Sequence, residues 1–110
     1  MSSTNVDLDA LASQFIDACY ADAIECKRLG YDPHEFLRML SEHGPRETAR
    51  RLVPDGSLNR LPYGFTRLWE LGRLDLTLEA FIHDNPQFHP LFDRDTIANC
   101  EARLAAAEYV

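Results

Sequence analysis

The longest helical pattern in the chain is the feature that most constrains its fold. From about Leu8 to Leu29, apolar residues recur every three or four positions, as on one face of an α-helix. Gly30 follows directly, and a glycine in the left-handed conformation commonly ends a helix. The pattern therefore predicts one long N-terminal helix. Because one face of that helix is apolar, other elements must pack against it.

Glycine and proline divide the next part of the chain into two shorter helices. Asp32 and Pro33 are suited to the N-cap and the first turn, and they predict a second helix that Gly44 ends. Pro45 begins a third helix, which stops at the turn sequence PDG. Residues 54–61 are then expected to form a polar loop.

The second half of the chain is punctuated in the same way. The sequence YGFTRLWELG predicts a fourth helix that Gly72 closes, and a fifth runs from about Asp75 or Thr77 to His83. Asp93 is the expected N-cap of the last helix. No segment alternates apolar and polar residues as a strand does. We therefore predict an all-α fold, a compact bundle of about six helices with one long N-terminal helix and several short ones.

Length and composition favour one domain. A chain of 110 residues with 45% hydrophobic residues is close to the commonest domain size and can bury one core. Residues 1–7 have little apolar content and are expected to be flexible, so the single helical domain covers 8–110. No apolar run approaches the roughly 20 residues of a membrane span, and no signal-peptide pattern is present, so we expect a cytoplasmic protein.

Two groups of side chains are assigned to the core. The chain has three cysteines, an odd number whose spacing matches no zinc motif. Cys19, Cys26 and Cys100 lie on the apolar sides of their helical patterns, where free cysteine behaves as a small buried hydrophobe. Trp69 and Phe81 are expected to fill the core where the fourth helix meets the fifth.

The same joint is a candidate for a DNA-reading helix-turn-helix. With Gly72 as the turn glycine, however, Leu68 and Asp75 occupy the positions that need a small and an apolar residue. Glu79 would also approach the phosphates. We therefore interpret the stretch as a helix–helix joint, with Arg73 and Asp75 at its corner.

The sequence offers no pattern for catalysis or cofactor binding. Glycine-rich phosphate loops are absent, and none of the four histidines pair at the spacing of a helical zinc site. An E-x-K sequence at 25–27 resembles part of a nuclease site, but it lies in a strongly helical stretch. We expect a protein that is not an enzyme, with no catalytic residue, no cofactor and no metal.

Charge is distributed unevenly along the chain. Residues 1–43 and 75–110 each carry a net charge of −5, whereas residues 44–74 carry +3. All six cations of this middle segment are arginines, which suit phosphate and carboxylate equally well. We name them the arginine island, and they are the candidate partner-binding residues: Arg46, Arg50, Arg51, Arg60, Arg67 and Arg73. The island can meet a partner or pair with the acidic segments of its own chain.

Three stretches of the chain resemble a known type of domain. They read YDPHEFLRMLSEHGPRETARRLV, GFTRLWELGRLDLTLEAFI and FHPLFDRDTIANCEARL. Together they are similar to a small bacterial all-helical domain of unknown function with a YxPxxFxxML and GFxxLWExGRLDL[ST]xE pattern. The resemblance covers roughly residues 26–104. It implies a helical fold and an association with bacterial defence or DNA-restriction systems, and it supplies no site residues.

These observations favour a non-enzymatic helical protein–protein interaction module. Segregated charge orients a protein partner, which supports this interpretation. One alternative is a nucleic-acid-associated protein that uses the arginine island, although a net charge of −7 opposes that role. Another is an acidic inhibitor that imitates nucleic acid. The partner's identity and the oligomeric state stay open at this point.

Overall fold

The computed structural model describes residues 7–109, and within that range the chain is helical and contains no strand. Five α-helices follow one another: α1 (Leu8–Arg28), α2 (His34–Leu52), α3 (Tyr63–Glu70), α4 (Leu78–Asp84) and α5 (Arg94–Ala106). Two 3₁₀ segments, Leu74–Leu76 and Pro86–Leu91, stand before and after α4. None of the helices in this range combines the length and apolarity needed to cross a bilayer.

Helix α2 is bent into two limbs, 34–43 and 45–52. Gly44 interrupts it with φ 80° and ψ 171°, a backbone conformation that residues other than glycine rarely adopt. Pro45 then opens the second limb, where its missing N–H is not needed. Counted as two helices, the limbs give the predicted total of six, and the all-α bundle is confirmed.

The N-termini of α1 and α2 are capped differently. Asp7 caps α1 by accepting a hydrogen bond from the backbone N–H of Ala10 at 3.1 Å. The rest of the segment predicted to be flexible, residues 1–6, lies outside the described residues. The prediction of Asp32 as the cap of α2 is wrong, because Pro33 holds the N-cap position without a side-chain hydrogen bond.

The core is organised around Phe15 of α1, which is fully buried. Its ring lies 5.2 Å from that of Phe81, 5.3 Å from that of Phe88 and 5.2 Å from that of Phe92, measured between centroids. Aromatic rings at such distances and tilts attract each other beyond the gain from burial. The long helix therefore meets α4 and the segment that follows it through aromatic packing. The predicted burial of the three cysteines is confirmed.

Two core predictions are wrong, and both err by one position around a helix. Trp69 is 38% exposed, because Phe65 and Leu68 occupy the inner face of the two-turn helix α3. Its ring forms a T-shaped pair with the ring of Phe65, with 5.8 Å between the centroids. The apolar pattern of α5 likewise predicts Ala102 on its inner side, but Ala102 is exposed and Arg103 is buried instead. Adjacent residues differ by about 100° around a helix, so one step moves a side chain off the core face.

Candidate functional site

The second limb of α2 presents part of the arginine island to solvent. Arg46 and Arg50 are exposed, whereas Ala49 and Val53 are fully buried, as the helical spacing predicts. Both guanidinium groups bind the carboxylate of Asp93: Arg46 donates hydrogen bonds to it, and Nε of Arg50 lies 3.2 Å from Oδ2. Asp93 holds the N-cap position of α5, but its side chain serves these arginines and makes no cap hydrogen bond.

Two further arginines of the island pair with carboxylates of their own helices. Arg51 donates a 2.9 Å hydrogen bond to Glu47 and lies 3.2 Å from Nε2 of His43. Arg67 lies 3.5 Å from Glu70. Such exposed pairs one turn apart contribute little to stability, and salt weakens them further.

Arg73 makes the most extensive contacts of the island and fixes the corner between α3 and α4. It donates hydrogen bonds to Asp75 at 2.9 and 3.0 Å and to Glu25 of α1 at 3.1 Å. Hydrogen bonds from Arg28 and from Arg73 lower the pKa of Glu25 to about 2. The predicted helix–helix joint with Arg73 and Asp75 at its corner is therefore observed, and it reaches α1 as well.

Arg60 differs from the other members of the island. It lies in the loop between α2 and α3, in the left-handed conformation with φ 55°, and is exposed. Among the residues that the structure describes, no carboxylate forms an ion pair with it. The structure thus divides the island into pairs on separate elements, in which five of the six guanidinium groups contact carboxylates of the same chain.

The outer face of α1 carries large apolar side chains that no other part of residues 7–109 covers. Ile24 is 72% exposed and Tyr20 is 49% exposed, and the two lie one turn apart on the same face. Exposed charges stand three or four positions from this pair on both sides: Asp17, Lys27 and Arg28. Sequence reasoning missed the pair, because it followed only the apolar residues on the opposite, buried face.

Arg103 of α5 forms a buried ion pair with α4 and also binds the loop between α2 and α3. Arg103, 1% exposed, donates a 2.8 Å hydrogen bond to Glu79, which is also buried. Its other N–H groups donate to the backbone carbonyls of Leu52, Ser57 and Asp55 at 3.0 to 3.1 Å. Burial raises the pKa of Glu79, and the hydrogen bond from Arg103 opposes that rise.

From the sequence, Glu79 falls in the first turn of α4 and is predicted to serve the positive N-terminal end of that helix, and no role is predicted for Arg103. A signal existed in the register of α5, since Cys100, Arg103 and Ala107 share one helical face. An arginine on an apolar face has to find an acidic or carbonyl partner once it is buried.

An apolar cavity of about 470 Å³ opens between α1, the first limb of α2, α3 and the segment leading into α4. Aliphatic and aromatic side chains form most of its wall, among them Ala23, Phe36, Phe65 and Phe81. On one side stand the rings of Tyr31 and Tyr63, with centroids 6.0 Å apart. Gly64 makes room there, because a Cβ at this position would lie 2.4 Å from the Tyr31 hydroxyl oxygen.

The three cysteine thiols are in settings that disfavour the reactive thiolate. Burial raises the pKa of the Cys19 and Cys26 thiols, and it raises that of Cys100 to about 12. These thiols therefore stay protonated at neutral pH, whereas the thiolate is the nucleophile. Within residues 7–109, no three histidine, cysteine or acidic side chains come together in a way that could hold a metal ion.

Comparisons with known proteins add no relative: no family model, no curated protein and no solved structure matches the chain. The resemblance to a small bacterial helical domain stays a prediction.

Proposed function

We propose that this protein is a non-enzymatic helical protein–protein interaction module, and that the outer face of α1 is its main contact surface. The observation that carries the proposal is the exposure of Tyr20 and Ile24 side by side on a regular helix. Burial of exposed isoleucine and tyrosine side chains against a partner favours binding by about 25 cal/mol for each Å² of apolar surface. Apolar side chains with a charged rim are typical of protein interfaces.

The partner surface that fits this face is an apolar helix or groove with charges complementary to the rim. Asp17 lies three positions before Tyr20, and Lys27 lies three positions after Ile24. The rim thus has an acidic group toward one end and basic groups toward the other, which would set the orientation of the partner. This polarity favours one docking direction along α1.

The arginine island is a second candidate surface, favoured by the exposure of Arg46, Arg50 and Arg51 on one limb of α2. Their guanidinium groups already contact Asp93 and Glu47, so a partner has to compete with carboxylates of this chain. Their contribution is therefore expected in the rate of encounter more than in the strength of the final complex. A nucleic-acid partner would meet the same competition.

The test is a capture experiment from the source cell, followed by affinity measurement with the purified partner. The bait is compared with a Tyr20→Ser/Ile24→Ser variant, which removes the apolar pair. Leu8→Ser is the matched control, because Leu8 is an exposed large apolar residue on the same helix, well away from the pair. An Arg46→Ala/Arg50→Ala/Arg51→Ala variant tests the second surface.

We expect the double-serine variant to bind the partner at least about tenfold more weakly, as the loss of a central apolar anchor does. Leu8→Ser should bind as the unmodified protein does. The triple alanine should slow association and reduce its dependence on salt. If the double-serine variant binds normally while the triple alanine does not, the arginine island is the contact surface and the proposal for α1 is wrong.

A further inference from the structure

The cavity beside α1 has the size and the wall of a ligand site. Its volume of about 470 Å³ lies within the roughly 300–1,000 Å³ of small-molecule pockets, which are mostly apolar with a few polar groups. A space of this size can hold a small organic molecule.

The charged groups on the cavity wall all have the same sign. Asp22, Asp32, Glu35 and Glu79 line it, and no lysine or arginine does. Two of the four carboxylates already pair with arginines: Glu35 accepts hydrogen bonds from Arg38, and Glu79 accepts one from Arg103, all at 2.8 Å. Asp32 is exposed to solvent, and its carboxylate lies 3.9 Å from Nδ1 of the His34 ring.

Asp22 is the carboxylate left for a ligand. It is half-buried on α1, and in the described part of the chain it has no hydrogen-bond or ion-pair partner. Burial and the nearby charge of Asp75 raise its pKa, and Arg73 lowers it. A carboxylate held partly out of water without a partner gains from any cation that reaches it.

Aromatic rings complete the chemistry of the cavity. Tyr31, Phe36, Tyr63, Phe65 and Phe81 all contribute to its wall. The faces of such rings attract cations within about 6 Å, and groups of them bind quaternary ammonium ions. An anion would meet ring faces and carboxylates together, and both repel it.

We propose that this cavity binds a small amphiphilic organic cation, an amine or ammonium compound whose apolar body fills the cavity while its charge lies against Asp22. The proposal is independent of the protein–protein contact on α1, because Tyr20 and Ile24 do not line the cavity. The ligand's apolar part supplies most of the affinity, and its charge supplies the selectivity.

The experiment compares two probes of the same chain length and opposite charge, octyltrimethylammonium and octyl sulfate, by titration calorimetry at concentrations where both are monomeric. Three variants are measured beside the unmodified protein. Asp22→Asn removes the charge, and Ala23→Leu places a larger side chain at the wall. Asp17→Asn is the matched control, because it removes an exposed carboxylate of the same helix that does not line the cavity.

We expect the cation to bind the unmodified protein at least about tenfold more tightly than the anion, as a desolvated carboxylate with aromatic faces favours. Asp22→Asn should remove most of that preference, and Asp17→Asn should keep it. Ala23→Leu should weaken both probes without lowering the melting temperature. Equal affinity for the two probes, no binding of the cation, or unchanged binding by Ala23→Leu would each overturn the proposal. If a variant does not fold, the two probes on the unmodified protein still decide.

Discussion

At the scale of single residues, Arg103 joins parts of the chain that are distant in sequence. Its guanidinium group donates hydrogen bonds to three backbone carbonyls between Leu52 and Ser57 and to the carboxylate of Glu79, and it lies 3.5 Å from the carboxylate of Asp55. These carbonyls belong to the last residue of α2 and to the irregular loop that follows it, where backbone groups have few partners of their own. One side chain thus fixes the loop, α4 and α5 against one another.

Replacing Arg103 by methionine keeps much of the volume but removes every hydrogen bond. Glu79 is then left buried without a partner, and we expect the free energy of unfolding to fall by about 3–5 kcal/mol. Arg94→Met is the control, since Arg94 lies exposed on the same helix, and it should change stability by less than about 0.5 kcal/mol. Urea denaturation followed by circular dichroism measures both. Equal stability of the two variants would show that the buried network is dispensable.

Trp69 tests the correction to the core. Because its ring is partly exposed and contacts the edge of Phe65, Trp69→Ala should cost about 1–2 kcal/mol, near the value of one aromatic pair plus partial burial. Leu68→Ala, one position earlier and buried, should cost more, about 2–5 kcal/mol. The same denaturation measurement ranks them. A larger loss of stability for Trp69→Ala than for Leu68→Ala would show that Trp69 is a core residue after all.

The positions of Trp69 and Arg103 show what a helical pattern leaves undetermined at this scale. Phe65, Leu68 and Trp69 stand at i, i+3 and i+4, so the pattern places all three on one face of α3 and does not say which one is exposed. The register of α5 places Arg103 on the inner face, but it does not identify the partners that the buried guanidinium group needs. Those partners come from α4 and from the end of α2 and its following loop, which are distant in sequence.

At the scale of elements, the helix boundaries followed from local chemistry. Gly30, Gly44 and Gly72 all take positive φ values at the ends that the sequence predicted. The two limbs of α2 were likewise predictable, since Gly44 and Pro45 each favour a break. What the sequence did not reveal is that Arg73, at the corner after α3, also reaches across to α1.

That contact has a pH signature at Glu25. Its pKa in the folded protein is about 2, below the ordinary value, because Arg28 and Arg73 donate hydrogen bonds to it. The depressed pKa means that the contribution of Glu25 to stability is present above the unfolded-state pKa of about 4.3 and is lost as pH falls toward 2. Titration of the Glu25 carboxyl group by NMR should give this low value directly.

In Arg73→Met, the Glu25 pKa should rise part of the way toward its ordinary value, because Arg28 remains. Lys27→Met removes a neighbouring exposed cation that makes no ion pair with Glu25, so it should leave the titration where it was. An ordinary pKa in the unmodified protein would contradict the corner contact between Arg73 and α1.

At the scale of the whole molecule, folding brings part of the basic middle segment against the acidic segments on both sides of it. Arg73 contacts Glu25 on one side, and Arg46 and Arg50 contact Asp93 on the other. Two other members of the island pair with carboxylates inside the middle segment. The sequence suggested this possibility through the signs of its segments, but only the fold identifies the pairs. The chain as a whole keeps its net charge of −7.

Duplex DNA should therefore bind weakly. We expect a dissociation constant above about 10 μM at roughly 150 mM salt, since phosphate contacts require free cations. Releasing the arginines should strengthen binding, so Glu47→Gln/Asp93→Asn should bind DNA more tightly than the unmodified protein. Asp95→Asn/Glu101→Gln makes the same change in net charge at exposed sites outside these ion pairs and should have less effect. Sub-micromolar binding by the unmodified protein would make nucleic acid the partner.

The outer face of α1 can be tested most directly by photo-crosslinking in the source cell. Benzoylphenylalanine at position 20 replaces one aromatic side chain by another at an exposed site, so the fold should be kept. We predict one dominant covalent adduct from position 20, its loss when Ile24→Ser is added, and no such adduct from benzoylphenylalanine at position 101, on the exposed side of α5. No adduct from position 20, or the same adduct with equal yield from position 101, would contradict an interaction module that acts through α1.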